Sequence, residues 1–191
     1  MRLLRLKIVI IGDGTVGKTS IARRFSQHTF THDYKRTIGT DFFSKRVQYN
    51  HKVLGPVTVD WMLWDLAGQP TWRDVRGNFY TGAKAAVVVF DITSRDSYEH
   101  VKNWIEELRK HVKDSIPILL VGNKIDLREE ADNALTFEDG KKLAEELSNE
   151  LGQEIPYIET SAKEGQNIDE SFERLFNLII DSYLKKVKSK S

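Results

Sequence analysis

Residues 12 to 19 read Gly12-Asp13-Gly14-Thr15-Val16-Gly17-Lys18-Thr19. The spacing is G-x-x-x-x-G-K-[ST], and its chemistry is the holding of a phosphate chain. Glycines let the backbone curl until several N–H groups point inward at oxyanion oxygens. A helix beginning near Gly17 adds its positive end. Lys18 supplies a mobile cation for the β- and γ-phosphates. Thr19 offers an oxygen to Mg²⁺, a hard ion that prefers oxygen ligands. The expected contact set runs from Gly12 through Thr19 and includes Ser20.

Three further loops carry chemistry. Asp65-Leu66-Ala67-Gly68-Gln69 ends an apolar run with an acid, the position from which a carboxylate holds Mg²⁺ directly or through water. Gly68 can set its backbone N–H beside a γ-phosphate, and Gln69 can orient an attacking water. Asn123-Lys124-Ile125-Asp126 places a carboxylate where it can accept hydrogen bonds from the N1–H and exocyclic amine of guanine. Adenine presents an acceptor at that edge, and sites built on such bonds reject the wrong partner because their own polar groups are left unpaired. Asn123 can brace loop and base, while the Lys124 stem covers one face of the ring. In Thr160-Ser161-Ala162-Lys163, backbone N–H groups can meet the guanine O6.

These loops need strands to present them. Leu4 to Ile11 reads as a strand that is half-exposed at first and apolar on both faces later, and Lys18 to Gln27 suits a helix. Residues 28–39 read as a loop. Residues 40–49 and 57–65 are β-rich runs separated by Asn50–Pro56, which suits an antiparallel pair, and Lys45 and Arg46 mark the first as an edge strand. Ala85–Phe90 and Ile116–Val121 are continuous aliphatic runs, as parallel strands covered on both faces require. Between them Val101, Trp104, Ile105, Leu108 and Val112 share one helical stripe. Thr136 to Asp139 resembles a capping box ahead of Leu143, Leu147 and Leu151. Ile155–Thr160 reads as a last strand, and Asn167 as the cap of a helix carrying Ile168, Phe172, Leu175, Phe176, Ile179 and Tyr183. This alternation predicts a three-layer α/β/α domain with right-handed crossovers and ligand loops at the carboxyl ends of the strands. The sheet is expected to hold six strands, mostly parallel with one antiparallel edge strand, among about five helices.

Composition narrows the function further. At 191 residues the chain has the length of one domain. Its 29 Lys+Arg against 28 Asp+Glu give a net charge of +1, without the basic surplus of a general nucleic-acid binder. It contains no cysteine, which excludes disulfides, thiolate metal sites, a cysteine nucleophile and, for the chain as given, prenylation or palmitoylation. The longest apolar run, Ala85 to Phe90, is far too short to span a bilayer. A soluble, cytoplasmic protein is expected.

The four loops in this order resemble the Ras-like small GTPases, and the flanking residues resemble the Rab branch. Thr37-Ile38-Gly39-Thr40-Asp41-Phe42 looks like the Rab switch I segment, Trp64 to Gln69 resembles W-D-T-A-G-Q, Phe79 to Ala83 resembles Y-Y-R-G-A, and Val88 to Thr93 resembles L-V-Y-D-I-T. The match covers roughly residues 5–184. The resemblance implies a P-loop G domain over residues 1–184 followed by a short basic tail, 185–191. It also implies GTP or GDP bound with Mg²⁺, and slow hydrolysis of GTP that switches two loops. Thr37 would be the switch threonine that reaches Mg²⁺ when a γ-phosphate is present, joining Thr19 and Asp65 as metal ligands. Phe30 would set its edge against the guanine, and Tyr34 would close over the phosphates. Lys18, Thr37, Gly68 and Gln69 would be the catalytic set. Phe42, Trp64 and Phe79 match the aromatic triad that faces effectors, beside an exchange factor and a GTPase-activating protein as further partners. A monomer is expected.

The chain departs from the pattern at Pro70, where the family has glutamate; at Thr15, where glycine or serine is usual; and at Phe79, where tyrosine is usual. Proline restricts the residue before it, so Gln69 is expected outside the helical region. Family members normally end in prenylated cysteines, whereas this chain ends Lys190-Ser191, so no lipid anchor and at most weak electrostatic membrane contact are expected. Two other readings exist: a GTP-binding scaffold with little or no hydrolysis, motivated by Pro70, and an ATP-dependent small-molecule kinase, against which Asn123 to Asp126 speaks.

Overall fold

The computed structural model describes residues 2–30 and 37–188. Tyr34, expected to close over phosphates, lies outside the described residues.

Six strands form one sheet in the order β2-β3-β1-β4-β5-β6. They are β1 (Arg2–Ile11), β2 (Thr40–His51), β3 (Gly55–Leu66), β4 (Ala85–Asp91), β5 (Ile118–Asn123) and β6 (Tyr157–Thr160). All pairs are parallel except β2 with β3, where Thr40 faces Leu66 and His51 faces Gly55. The antiparallel edge strand is therefore where its charged residues place it. Arg46 uses the edge to grip Asp60 of β3, with Nε and Nη2 at 2.6 and 3.0 Å from its two carboxylate oxygens. The hairpin turn is tighter than the Asn50–Pro56 spacing suggests. The buried His51 accepts at Nδ1 from the Val53 and Leu54 amides, at 3.2 and 3.3 Å, and so closes the turn locally.

The helices are α1 (Lys18–Gln27), α2 (Arg73–Tyr80), α3 (Arg95–Glu99), α4 (Val101–His111), α5 (Phe137–Leu151) and α6 (Ile168–Lys188). α3 and α4 meet at His100 as one broken helix, which leaves five helical bodies among the described residues. Prolines at 117 and 156 hold the starts of β5 and β6 two residues later than their apolar runs begin. Thr136 and Asp139 form the expected reciprocal capping box. Asn167 does precede α6 but has a left-handed φ of 59°, and its side-chain amide donates to Glu159 O at 2.8 Å. α6 also runs through Lys188, into the stretch read as a tail.

Both faces of the sheet are covered. α1 and α6 bury Ile21, Phe25, Phe172 and Phe176 against Ile8, Ile10 and Trp61, with the Phe25 and Phe172 rings stacked at 3.7 Å. α4 and α5 bury Trp104, Leu108, Leu143 and Leu147 against Val9, Val88, Phe90 and Leu120. Tyr183 leaves the α6 stripe and is exposed. Because β4 and β5 are buried along their whole length, the register of the sheet is fixed by packing, and with it the edge on which β1, β3, β5 and β6 end.

Candidate nucleotide site

The loop after β1 turns into α1 through Gly17, whose φ of 100° is open to glycine; a Cβ there would stand 2.2 Å from Asn123 Nδ2. α1 has no side-chain cap on the N–H groups of its first turn, a helix start of the kind that suits an anion. Lys18, at 6% exposure, donates from Nζ to Asp13 O at 2.7 Å. Burial lowers its pKa to about 8, against the pull of the Asp65 and Asp13 charges. Thr15 adopts φ 68°, a left-handed conformation unusual for a β-branched residue.

Asp65, near the end of β3, is fully buried, and burial raises its pKa to about 6 despite Lys18 and the Thr19 hydroxyl. Its Oδ2 accepts from Thr19 Oγ1, and Thr37 Oγ1 lies 3.1 Å from Thr19 Oγ1 and 3.5 Å from the same carboxylate oxygen. The other oxygen, Oδ1, is buried without a hydrogen-bond partner among the described residues. Two hydroxyls and a half-satisfied carboxylate form an all-oxygen donor set, which suits a hard divalent cation that keeps water or phosphate as its remaining ligands. Among the described residues no group of three or more His, Cys, Asp or Glu could hold a metal, so any cation here depends on the threonines.

Gly68 lies against the cradle: a Cβ on it would fall 2.4 Å from Asp13 C and Gly14 N. Gln69 has φ −77° and ψ 145°, the extended conformation that Pro70 imposes, and its Oε1 is buried and unpartnered among the described residues. Its Nε2 is 3.8 Å from where a Gly14 Cβ would stand.

Asn123, the last residue of β5, is buried and joins three segments. Nδ2 donates to Val16 O at 2.9 Å, and Oδ1 accepts from Thr160 Oγ1 at 3.0 Å and from the Ala162 N–H at 3.1 Å. Lys124 swings through φ 71° and pairs with Asp91 at 2.6 Å. Asp126 accepts at Oδ1 from Ser161 Oγ at 2.5 Å and lies 3.9 Å from Lys163 Nζ. Phe30 has its ring centroid 5.8 Å from the Arg24 guanidinium.

Several partners were not legible from the motifs. The Asp13 carboxylate accepts from Trp104 Nε1 and meets His100 Nδ1, each at 2.7 Å, which ties the loop to α4. That hydrogen bond raises the His100 pKa. Arg76 donates from Nη1 to Ala67 O and Gln69 O at 3.0 and 2.9 Å and stacks 4.4 Å over Trp104. Arg76 is one of the arginines near the site in sequence, and its engagement makes it a brace for the Gly68–Gln69 backbone. On the flank, the expected aromatic triad is contiguous: Phe42 and Trp64 are 5.6 Å apart, Trp64 and Phe79 5.8 Å, and Phe42 is 55% exposed. A separate surface groove of about 1160 Å³ between α5, β6 and α6 contains none of these groups.

A sequence model of the Ras family matches residues 7–181. The chain is 38% identical over 180 residues to the Ras-related protein Rab11A of Lotus japonicus, covering 94% of this chain and 74% of that one. It is 42% identical over 173 residues to the Ras-related protein RABA3 of Arabidopsis thaliana, covering 91% and 68%. With the Ras-related protein RABD2a of Arabidopsis thaliana the identity is 36% over 166 residues, covering 87% and 75%.

Proposed function

The chain belongs to the Ras family, on its Rab-like branch, and from that premise we propose that it binds GTP and GDP with Mg²⁺ and hydrolyses GTP slowly to GDP and phosphate. The observation that carries the reading is Asn123, whose one side chain joins the phosphate cradle at Val16 to the base loop at Thr160 and Ala162. A ligand spanning both ends is then a purine nucleotide, and Asp126 chooses guanine.

Thr19, Thr37 and Asp65 would hold the magnesium. When bound, that ion would supply positive charge against the phosphate oxygens. The protein's own part is positioning and charge. Lys18 and the amides of Gly12 to Thr19, with Ser20, surround the phosphates. The Gly68 N–H faces the γ-phosphate, and Gln69 orients the attacking water. Tyr34 would close over the phosphates, Phe30 would edge the base, and Lys124, Ser161 and Lys163 would complete its pocket. Loss of the γ-phosphate removes the contacts to Thr37 and Gly68, and both switch loops relax. Phe42, Trp64 and Phe79 present the effector surface, and a GTPase-activating protein supplies an arginine that stabilises the charge on the transferring phosphate. The protein acts in the cytoplasm as a monomeric switch in signalling or traffic-like regulation.

A second reading, a GTP-binding scaffold with little hydrolysis, is favoured by Pro70 alone, which fixes Gln69 in one backbone conformation. Single-turnover GTP hydrolysis separates the two. Gln69→Leu is expected to slow the reaction by about a hundredfold or more, the low end for a side chain that positions the reacting group. An unaltered rate removes Gln69 from catalysis, and hydrolysis no faster than that of free GTP assigns the protein to the scaffold reading.

A further inference from the structure

We infer that Arg24 is a positioning residue for guanine recognition: its guanidinium holds the loop after β6 so that a loop amide faces the 6-oxo group of the base. The inference rests on the nucleotide-binding reading above and assigns part of its specificity to a helix residue outside the four motifs.

Arg24 lies on α1, the helix that begins with Lys18 and Thr19, so its backbone moves with the phosphate cradle. Its side chain reaches 138 residues along the chain: Nε donates to Ala162 O at 2.9 Å, and Nη2 donates to Lys163 O. Nη1 donates to His28 O at 3.3 Å, and the same group faces the Phe30 ring. One planar fork therefore touches both the base loop and the segment carrying the expected aromatic edge.

Peptide planarity gives this grip a direction. No peptide bond is cis among the described residues, and in a trans peptide the C=O and N–H point to opposite sides. Turning the Ala162 and Lys163 carbonyls toward Arg24 turns the Lys163 and Glu164 N–H groups away from it. On that far side the Glu164 N–H donates to Ser161 Oγ at 3.0 Å, and Ser161 Oγ donates to Asp126 at 2.5 Å. The Glu164 N–H is used within the loop, and the Lys163 N–H, turned the same way, is the loop amide that shares a side with the base-selecting carboxylate. A guanine whose N1–H and amine meet Asp126 carries its 6-oxo group next to N1, on the side of that amide.

The plainer role for Arg24 is that of a cation in the last turn of α1, favourable to the helix dipole. That role affects stability and does not distinguish one atom of the base from another. Two analogues of GDP separate the roles in the full-length chain with Mg²⁺ at neutral pH. 6-Thio-GDP keeps N1–H and the amine but replaces the 6-oxo acceptor with weakly accepting sulfur. IDP keeps the 6-oxo group and lacks the amine. The unaltered protein is expected to bind each about tenfold more weakly than GDP, the worth of one hydrogen bond.

In Arg24→Ala the penalty for 6-thio-GDP is expected to fall below about threefold while the penalty for IDP stays near tenfold. Arg24→Lys, which keeps the charge but offers a point donor in place of a fork, is expected to give the same pattern and guards against a fold lost with alanine. Persistence of the 6-thio-GDP penalty in both variants overturns the inference. So does an equal shrinkage of both penalties, the mark of a generally loosened pocket. Failure of the unaltered chain to bind GDP removes the underlying reading, and the inference with it.

Discussion

Arg76 of α2 and Glu107 of α4 form a buried two-point ion pair, with Nε to Oε1 and Nη2 to Oε2 both at 2.8 Å. Tyr80 adds its hydroxyl to Glu107 Oε1 at 2.7 Å. The free Nη1 of the same guanidinium holds the carbonyls on either side of Gly68. Helix α4 is thereby the support against which the Gln69 loop is set. Removing Arg76 takes the two-point partner from the buried Glu107 and leaves it the Tyr80 hydroxyl and the exposed Arg73 at 3.7 Å, so Arg76→Met is expected to destabilise the protein by about 3 kcal/mol, the low end for breaking a buried pair. The double change Arg76→Met with Glu107→Leu is expected to cost less than the single one. Denaturant unfolding of the three proteins checks this.

Asn123→Ala strands Val16 O, the Thr160 hydroxyl and the Ala162 N–H inside the fold. With each orphaned group costing about 1 kcal/mol or more, a loss of at least about 3 kcal/mol is expected, together with a large fall in nucleotide affinity. Thermal unfolding with and without GDP reads both effects.

Asp126→Asn exchanges an acceptor for a mixed donor and acceptor. Guanine then loses its partner, whereas xanthine, whose 2-carbonyl wants a donor, gains one. Competition between GDP and XDP is expected to move toward XDP by about a hundredfold. Unchanged preference for GDP removes Asp126 from base recognition.

His100 titrates with its pKa raised, first by the hydrogen bond to Asp13, with Asp96 and Glu99 adding to the same effect. Trp104 donates to that same Asp13 carboxylate. A histidine whose folded pKa exceeds its unfolded value stabilises the protein fully below the unfolded pKa, and the gain is lost as pH rises through the folded pKa. Stability is therefore expected to fall as pH rises above the ordinary histidine value of 6.5. The effect is small, because His100 is half-exposed and the pair is partly screened. In His100→Asn that part of the pH dependence should disappear from urea unfolding curves.

The sequence exposed the four loops because the chemistry of each is local: a few adjacent residues at a strand end carry it. Pro70 likewise announced the extended Gln69 backbone, since the restriction acts on its immediate neighbour. Asp13 to Trp104, Arg76 to Glu107 and Arg24 to Ala162 were not legible, because these contacts span 91, 31 and 138 residues. Each of those side chains reads in sequence as an ordinary helix or loop residue. Only the crossing of α1, α2 and α4 over one sheet edge reveals its partner. Asn167 shows the same limit in miniature: its type suggested a helix cap, and its side chain is instead drawn to the Glu159 carbonyl.

The most direct measurement is equilibrium titration of the full-length chain with GTP, GDP and ATP in the presence of Mg²⁺. The joined cradle and base loop predict that both guanine nucleotides bind at least about a thousandfold tighter than ATP. Equal affinity for ATP, or indifference to all three, would contradict it.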